Sequence, residues 1–105
     1  MKLETEQGIS PDCWIILEIK QRYGIRHQKI LAGWGGSYLY GDSWRMSSPI
    51  AELDIKINSK WITAVTESGS TYNLSKQRQG LRMSIAGVYN QLKEKFGDSV
   101  EIVEL

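Results

Sequence analysis

Cysteine, histidine and phenylalanine each occur once in this chain, and proline occurs twice. A lone Cys13 rules out an internal disulfide and a cysteine-built zinc site, which suits a reducing compartment. A lone His27 leaves too few imidazoles for the three or four ligands that zinc takes, and no Asp-x-Asp-x-Asp-Gly run offers calcium a loop. No metal and no cofactor are expected. There is no positive-then-apolar leader, and no apolar run nears the ~20 residues that cross a bilayer. The expected setting is cytoplasmic, with no membrane partner. Charge of one sign is also missing: 13 basic against 12 acidic side chains leave a net charge of +1. Affinity built mainly on neutralising phosphates usually needs a more basic chain, so bulk charge does not argue for nucleic acid.

What is present is ordinary globular material, 41% hydrophobic and 24% charged over 105 residues. That length suits one domain with one core. Residues 1–10, "MKLETEQGIS", carry little apolar content and read as a flexible segment, leaving 11–105 as a single α+β domain.

"CWIILEIK" (13–20) begins apolar on both faces, the pattern of an inner strand covered on both sides. "KILAGW" (29–34) is a second strand that runs into a glycine-rich stretch. From Leu53 onward the residues alternate, giving a three-stranded meander. A two-residue Ser68-Gly69 turn sets Val65 opposite Tyr72, and a three-residue turn at 58–60 sets Ile57 opposite Trp61. That register sends Leu53, Ile55, Ile57, Trp61, Val65, Tyr72 and Leu74 to one buried face, with Ile62 as an exception on the polar side. Ile85, Val88, Tyr89, Leu92 and Phe96 then recur at helical spacing over 82–96, with Gly97 placed to terminate the helix. Gly87 inside it costs about 1 kcal/mol against alanine, which suggests close backbone packing there. "SVEIVEL" (99–105) closes the chain as a strand. The expected fold is α+β: a mostly antiparallel sheet of five to seven strands, with one long C-terminal helix packed on one face.

The segment "GWGGSYLYGDSWRMSSPI" (33–50) concentrates glycine, aromatic rings and an arginine. Its glycines fit neither Gly-x-Gly-x-x-Gly nor the P-loop, because Tyr38 takes the third glycine position. "GDSW" is similar to the serine turn of one lipase and esterase group. His27, however, precedes Ser43, no acid-His pair follows, and the chain is too short for those enzymes' parallel sheet. Trp34, Tyr38, Tyr40, Trp44 and Arg45 remain as a candidate binding surface, since these residue types anchor protein interfaces and stack on bases. With one phenylalanine available, the same rings must also supply aromatic bulk to the core, so burial of Trp34 and Trp44 stays open.

A second candidate is the basic run Lys76, Arg78 and Arg82, and Arg22, Arg26, His27 and Lys29 form another local cluster. Such runs are more often solvated connectors. Arg82 opposes the helix macrodipole, so it lies outside the first turn or answers another requirement.

The order of glycine-aromatic loop, Ser-Trp-Arg and a "SGSTYNL" hairpin, over Lys29 to Leu74, resembles small uncharacterised proteins of bacteria and their phages or prophages. The resemblance implies a bacterial or phage context and assigns no functional residue. The residues themselves point to a small non-enzymatic module that binds another protein or itself. The alternative is a single-stranded nucleic-acid binder that stacks bases on the rings and follows the backbone with Lys76, Arg78 and Arg82.

Overall fold

The computed structural model describes residues 8–21, 24–37 and 41–105 of the chain. They form β1 (Cys13–Lys20), β2 (Arg26–Ser37), β3 (Gly41–Met46), β4 (Ile50–Ile55), β5 (Trp61–Thr66), β6 (Thr71–Ser75), α1 (Met83–Phe96) and β7 (Val100–Val103). The strands pair antiparallel, in two sheets rather than one: β3-β2-β1-β7 and β4-β5-β6. No helix among the described residues is long and apolar enough to cross a membrane.

β1 explains the layering. Trp14 and Ile16 join Ile30, Ala32, Ile62, Ala64, Tyr72 and Leu74 in a core between the two sheets. Cys13, Ile15 and Leu17 join Leu31, Val100 and the helix residue Ile85 in a second core on the other side. Successive side chains of a strand point to opposite faces, so a strand apolar at every position must be covered twice. The result is three layers, with α1 outside, the four-stranded sheet in the middle and the meander opposite. Trp14 fastens the layers directly: its indole Nε1–H donates to the Ser75 carbonyl at 2.8 Å. Its own carbonyl accepts the Gly80 N–H at 2.9 Å, where β7 no longer flanks β1.

The expected register of the meander is wrong by one residue on both sides of β5. Leu74 pairs with Ile62 and Tyr72 with Ala64, while Leu53 pairs with Ala64 and Ile55 with Ile62. The cause is turn length. Glu67, Ser68 and Gly69 form a three-residue loop, closed by Gly69 N–H to the Thr66 carbonyl and Thr66 N–H to the Ser70 carbonyl, both 2.9 Å. Gly69, at φ 93°, takes the left-handed position that such a loop needs. At the other end the ladder stops at Ile55–Ile62, and the chain reverses through a turn closed by Ser59 N–H on the Lys56 carbonyl. Only β5 is turned over. Ile62, Ala64 and Thr66 face the core, while Trp61 is 49% exposed and Ile57, in the turn, 93% exposed. The seven residues expected on one buried face are therefore divided. The meander is also covered by β1 and β2 rather than by the helix.

In β4, Ile50 and Leu53 both reach the inter-sheet core despite their odd spacing, because the register shifts between Ile50 and Glu52. Ile9, within the segment expected to be flexible, runs parallel to β6, donating to the Thr71 carbonyl and accepting from the Asn73 N–H.

The helix has 14 residues and buries Ile85, with Val88, Tyr89 and Leu92 packed around it. Arg82 is its N-cap, outside the first turn, and Gly97 ends it at φ 57°. Gly87 does not mark close packing: it is exposed, and a Cβ there would meet nothing within 4 Å. Gly87→Ala is accordingly expected to raise stability by about 1 kcal/mol in urea denaturation. The Tyr72 hydroxyl lies in the inter-sheet core without a hydrogen-bond partner among the described residues. Tyr72→Phe removes that unsatisfied group and should leave stability unchanged or raise it by about 1 kcal/mol, whereas a loss of that size would mean the hydroxyl has a partner.

Candidate functional site

The glycine-aromatic segment builds a hairpin, β2 into β3, at one edge of the four-stranded sheet. Cross-strand neighbours share a face, so the pairing decides which rings can act together. Trp34 opposes Ser43 and Ala32 opposes Arg45, which puts Trp34 and Arg45 on the side facing the meander. Gly33 opposes Trp44 and Leu31 opposes Met46, which puts Trp44 on the helix side. A single stacking platform that includes both tryptophans does not form. Trp34 is partly buried against the inter-sheet core. Trp44 is 52% exposed, and Arg45 is exposed beside it in sequence. Tyr38 and Tyr40 lie outside the described residues.

An interaction missed at the sequence level ties the glycine-rich part of β2 to the start of β1. The Asp12 carboxylate accepts the Gly35 N–H at 2.7 Å, and the Asp12 N–H donates to the Gly33 carbonyl at 2.9 Å. Arg78 reaches the same residue from a distant part of the chain, 3.7 Å from the carboxylate and 3.4 Å from the backbone carbonyl. The pair is half-exposed, so its Coulombic contribution is small, while the short hydrogen bond ties Gly35, at the register shift between Trp34 and Ser37, to the residue before β1.

The basic run is dispersed. Lys76 and Arg78 share one 3-10 turn yet point to different ends of the fold. The Lys76 ammonium donates to the Lys56 carbonyl at 2.7 Å, and Arg78 is held at Asp12. Arg82 is exposed at the start of α1. In the other cluster, Arg26 lies 3.5 Å from Glu18, and Arg22 lies outside the described residues.

His27 and Ser43 do not meet. His27 opposes Ile19, and Ser43 opposes Trp34. Seven strand residues separate the two places, about 23 Å at the usual rise, and their parity sends them to opposite faces. Proton transfer needs hydrogen-bond reach, so this pair cannot act as nucleophile and base. Among the described residues, no three His, Cys, Asp or Glu side chains gather at a spacing suited to a metal ion.

Two apolar hollows of about 340 Å³ flank β1 on the helix side. One lies between the connector at Gln79–Leu81 and Ile102, and the other between Ile19, Leu92 and Phe96. Gln79 and Glu104 line the first and Lys20, Gln21 and Ser99 the second, beside mostly apolar surface.

The two tryptophans of the hairpin should respond differently to truncation. Trp34→Ala is expected to cost about 2–3 kcal/mol, because it empties part of the inter-sheet core, and Trp44→Ala under about 1 kcal/mol. Thermal or urea unfolding of the two variants checks this, and equal losses would contradict the opposed placement.

Compared with family models, curated proteins and solved structures, the chain matches none.

Proposed function

We propose that this chain is a small non-enzymatic interaction module that binds another protein, or a second copy of itself, through the outer edge of β3 and the side chains of Trp44 and Arg45. The setting is the bacterial or prophage cytoplasm that the sequence resemblance implies. The observation that carries the reading is a half-exposed tryptophan beside an exposed arginine on a terminal strand of the sheet. Tryptophan and arginine dominate interface hot spots because each offers large contact area together with directional polar groups. A terminal strand also presents unpaired N–H and C=O groups, to which an extended peptide can add as a further strand. Trp44 and Arg45 then flank the added strand on its two faces, giving side-chain selectivity to a backbone-driven contact.

The nucleic-acid reading draws less support. It relies on Lys76, Arg78 and Arg82 to follow a phosphate backbone, and the fold disperses them: the Lys76 ammonium sits at the Lys56 carbonyl and Arg78 at Asp12.

The test is affinity capture with the purified chain as bait, alongside sedimentation for self-association. Trp44→Ala with Arg45→Ala should weaken the contact made by the wild type by at least about tenfold, with the unfolding midpoint little changed. Retention of the partner, or of the dimer, at wild-type strength would remove this surface from consideration.

A further inference from the structure

The far end of the meander poses a separate question. Ile57 is 93% exposed at the second position of the Lys56–Ser59 turn, and both Ile55 and Trp61 beside it are about half-exposed. Of these only Trp61 owes its exposure to the one-residue change of register; Ile55 opposes core-facing Ile62 on the inner face, and Ile57 lies beyond the end of the ladder. The turn is held by three hydrogen bonds: Ser59 N–H to the Lys56 carbonyl at 3.1 Å, Trp61 N–H to the Ser59 hydroxyl at 3.1 Å, and Lys76 Nζ to the Lys56 carbonyl at 2.7 Å. The last of these brings a third lysine to a tip that already carries Lys56 and Lys60, and the Lys76 N–H donates to the Lys60 carbonyl at 2.9 Å. Asp54 is the acid nearby, 3.9 Å from Lys56, and both side chains are largely solvated, so a positive surplus remains.

We infer that this tip is a docking element for an anionic lipid surface. An apolar apex ringed by lysines places Ile57 below the headgroups, with Trp61 at their level and the ammonium groups against lipid phosphates. Geometry favours lipid over a folded protein. One narrow turn offers far less than the roughly 800 Å² per partner of a stable protein interface, whereas side chains entering lipid act individually. The internal hydrogen bonds hold the turn in shape, so little ordering is lost on contact. The inference is independent of the β3 edge, and it departs from the expectation of no membrane partner, which rested on the lack of a membrane-crossing segment and does not bear on surface docking.

Cosedimentation of the purified chain with vesicles tests it, comparing phosphatidylcholine alone with an equal mixture of phosphatidylcholine and phosphatidylglycerol. Wild type is expected in the pellet with the anionic vesicles and not with the neutral ones. Ile57→Asp should reduce that binding at least about tenfold, with an unchanged unfolding midpoint, because the side chain it replaces makes almost no fold contacts. Trp44→Ala should bind vesicles as wild type does. Absence of binding to the anionic vesicles, equal binding to neutral ones, or full binding by Ile57→Asp would overturn the proposal. So would a concentration-dependent dimer that Ile57→Asp dissolves, since the occupant of the tip would then be a second copy of the chain.

Discussion

The double burial of β1 is the constraint from which the rest follows. Its first five residues, Cys13 to Leu17, are all buried, alternately against α1 and against the meander. A strand with two apolar faces cannot sit in a two-layer protein without leaving one face in water. The chain answers with a third layer, and Trp14 joins that layer to the middle one through the Ser75 carbonyl. A buried indole N–H without a partner would cost about 1–3 kcal/mol, so this bond also helps decide how the meander sits on the sheet beneath it.

Much of this was legible. The all-apolar opening of 13–17 announced an inner strand, the alternation after Leu53 announced a meander, and the spacing from Ile85 to Leu92 announced the helix face. Those three signals account for β1, the meander and α1; β2 and β7 come from the runs at 29–34 and 99–105, and β3 carries no such signal. Register was not legible, and the reason lies in Trp61 to Thr66, where both parities look burial-worthy. One offers Trp61 and Val65, the other Ile62, Ala64 and Thr66. The sum of hydrophobicity favours the first. Space between two packed sheets favours the second, because small side chains let β5 approach the middle sheet while Trp14 and Tyr72 fill the volume beside it. The choice was set by one extra residue in the Glu67–Gly69 loop, a detail that the Ser-Gly pair alone did not reveal.

The candidate site was legible only as a composition. Glycine, tryptophan and arginine clustered in sequence marked the β2–β3 hairpin, but strand parity separates Trp34 from Trp44, and no inspection of composition shows that. The anchoring of Gly35 by Asp12 and Arg78 joins residues 23 and 66 positions apart and depends on tertiary placement alone. The exposed tip at Ile57 is the converse case. Trp61 reads as core under the expected register and emerges as surface under the observed one, and Ile57 falls past the end of the ladder into the turn. A surface that departs from the hydrophobic pattern in this way warrants a functional explanation more than a scattered exposed leucine does.

The three-layer account stands or falls on which neighbours the alternate residues of β1 and β5 keep. Nuclear Overhauser contacts among assigned side chains report this directly. Ile15 and Leu17 should show contacts to Ile85, Ile16 should show them to Ile62 or Leu74, and the Trp61 ring should show none to β1. Contacts from Trp61 to Ile16, or from Ile85 to residues of the meander, would contradict it.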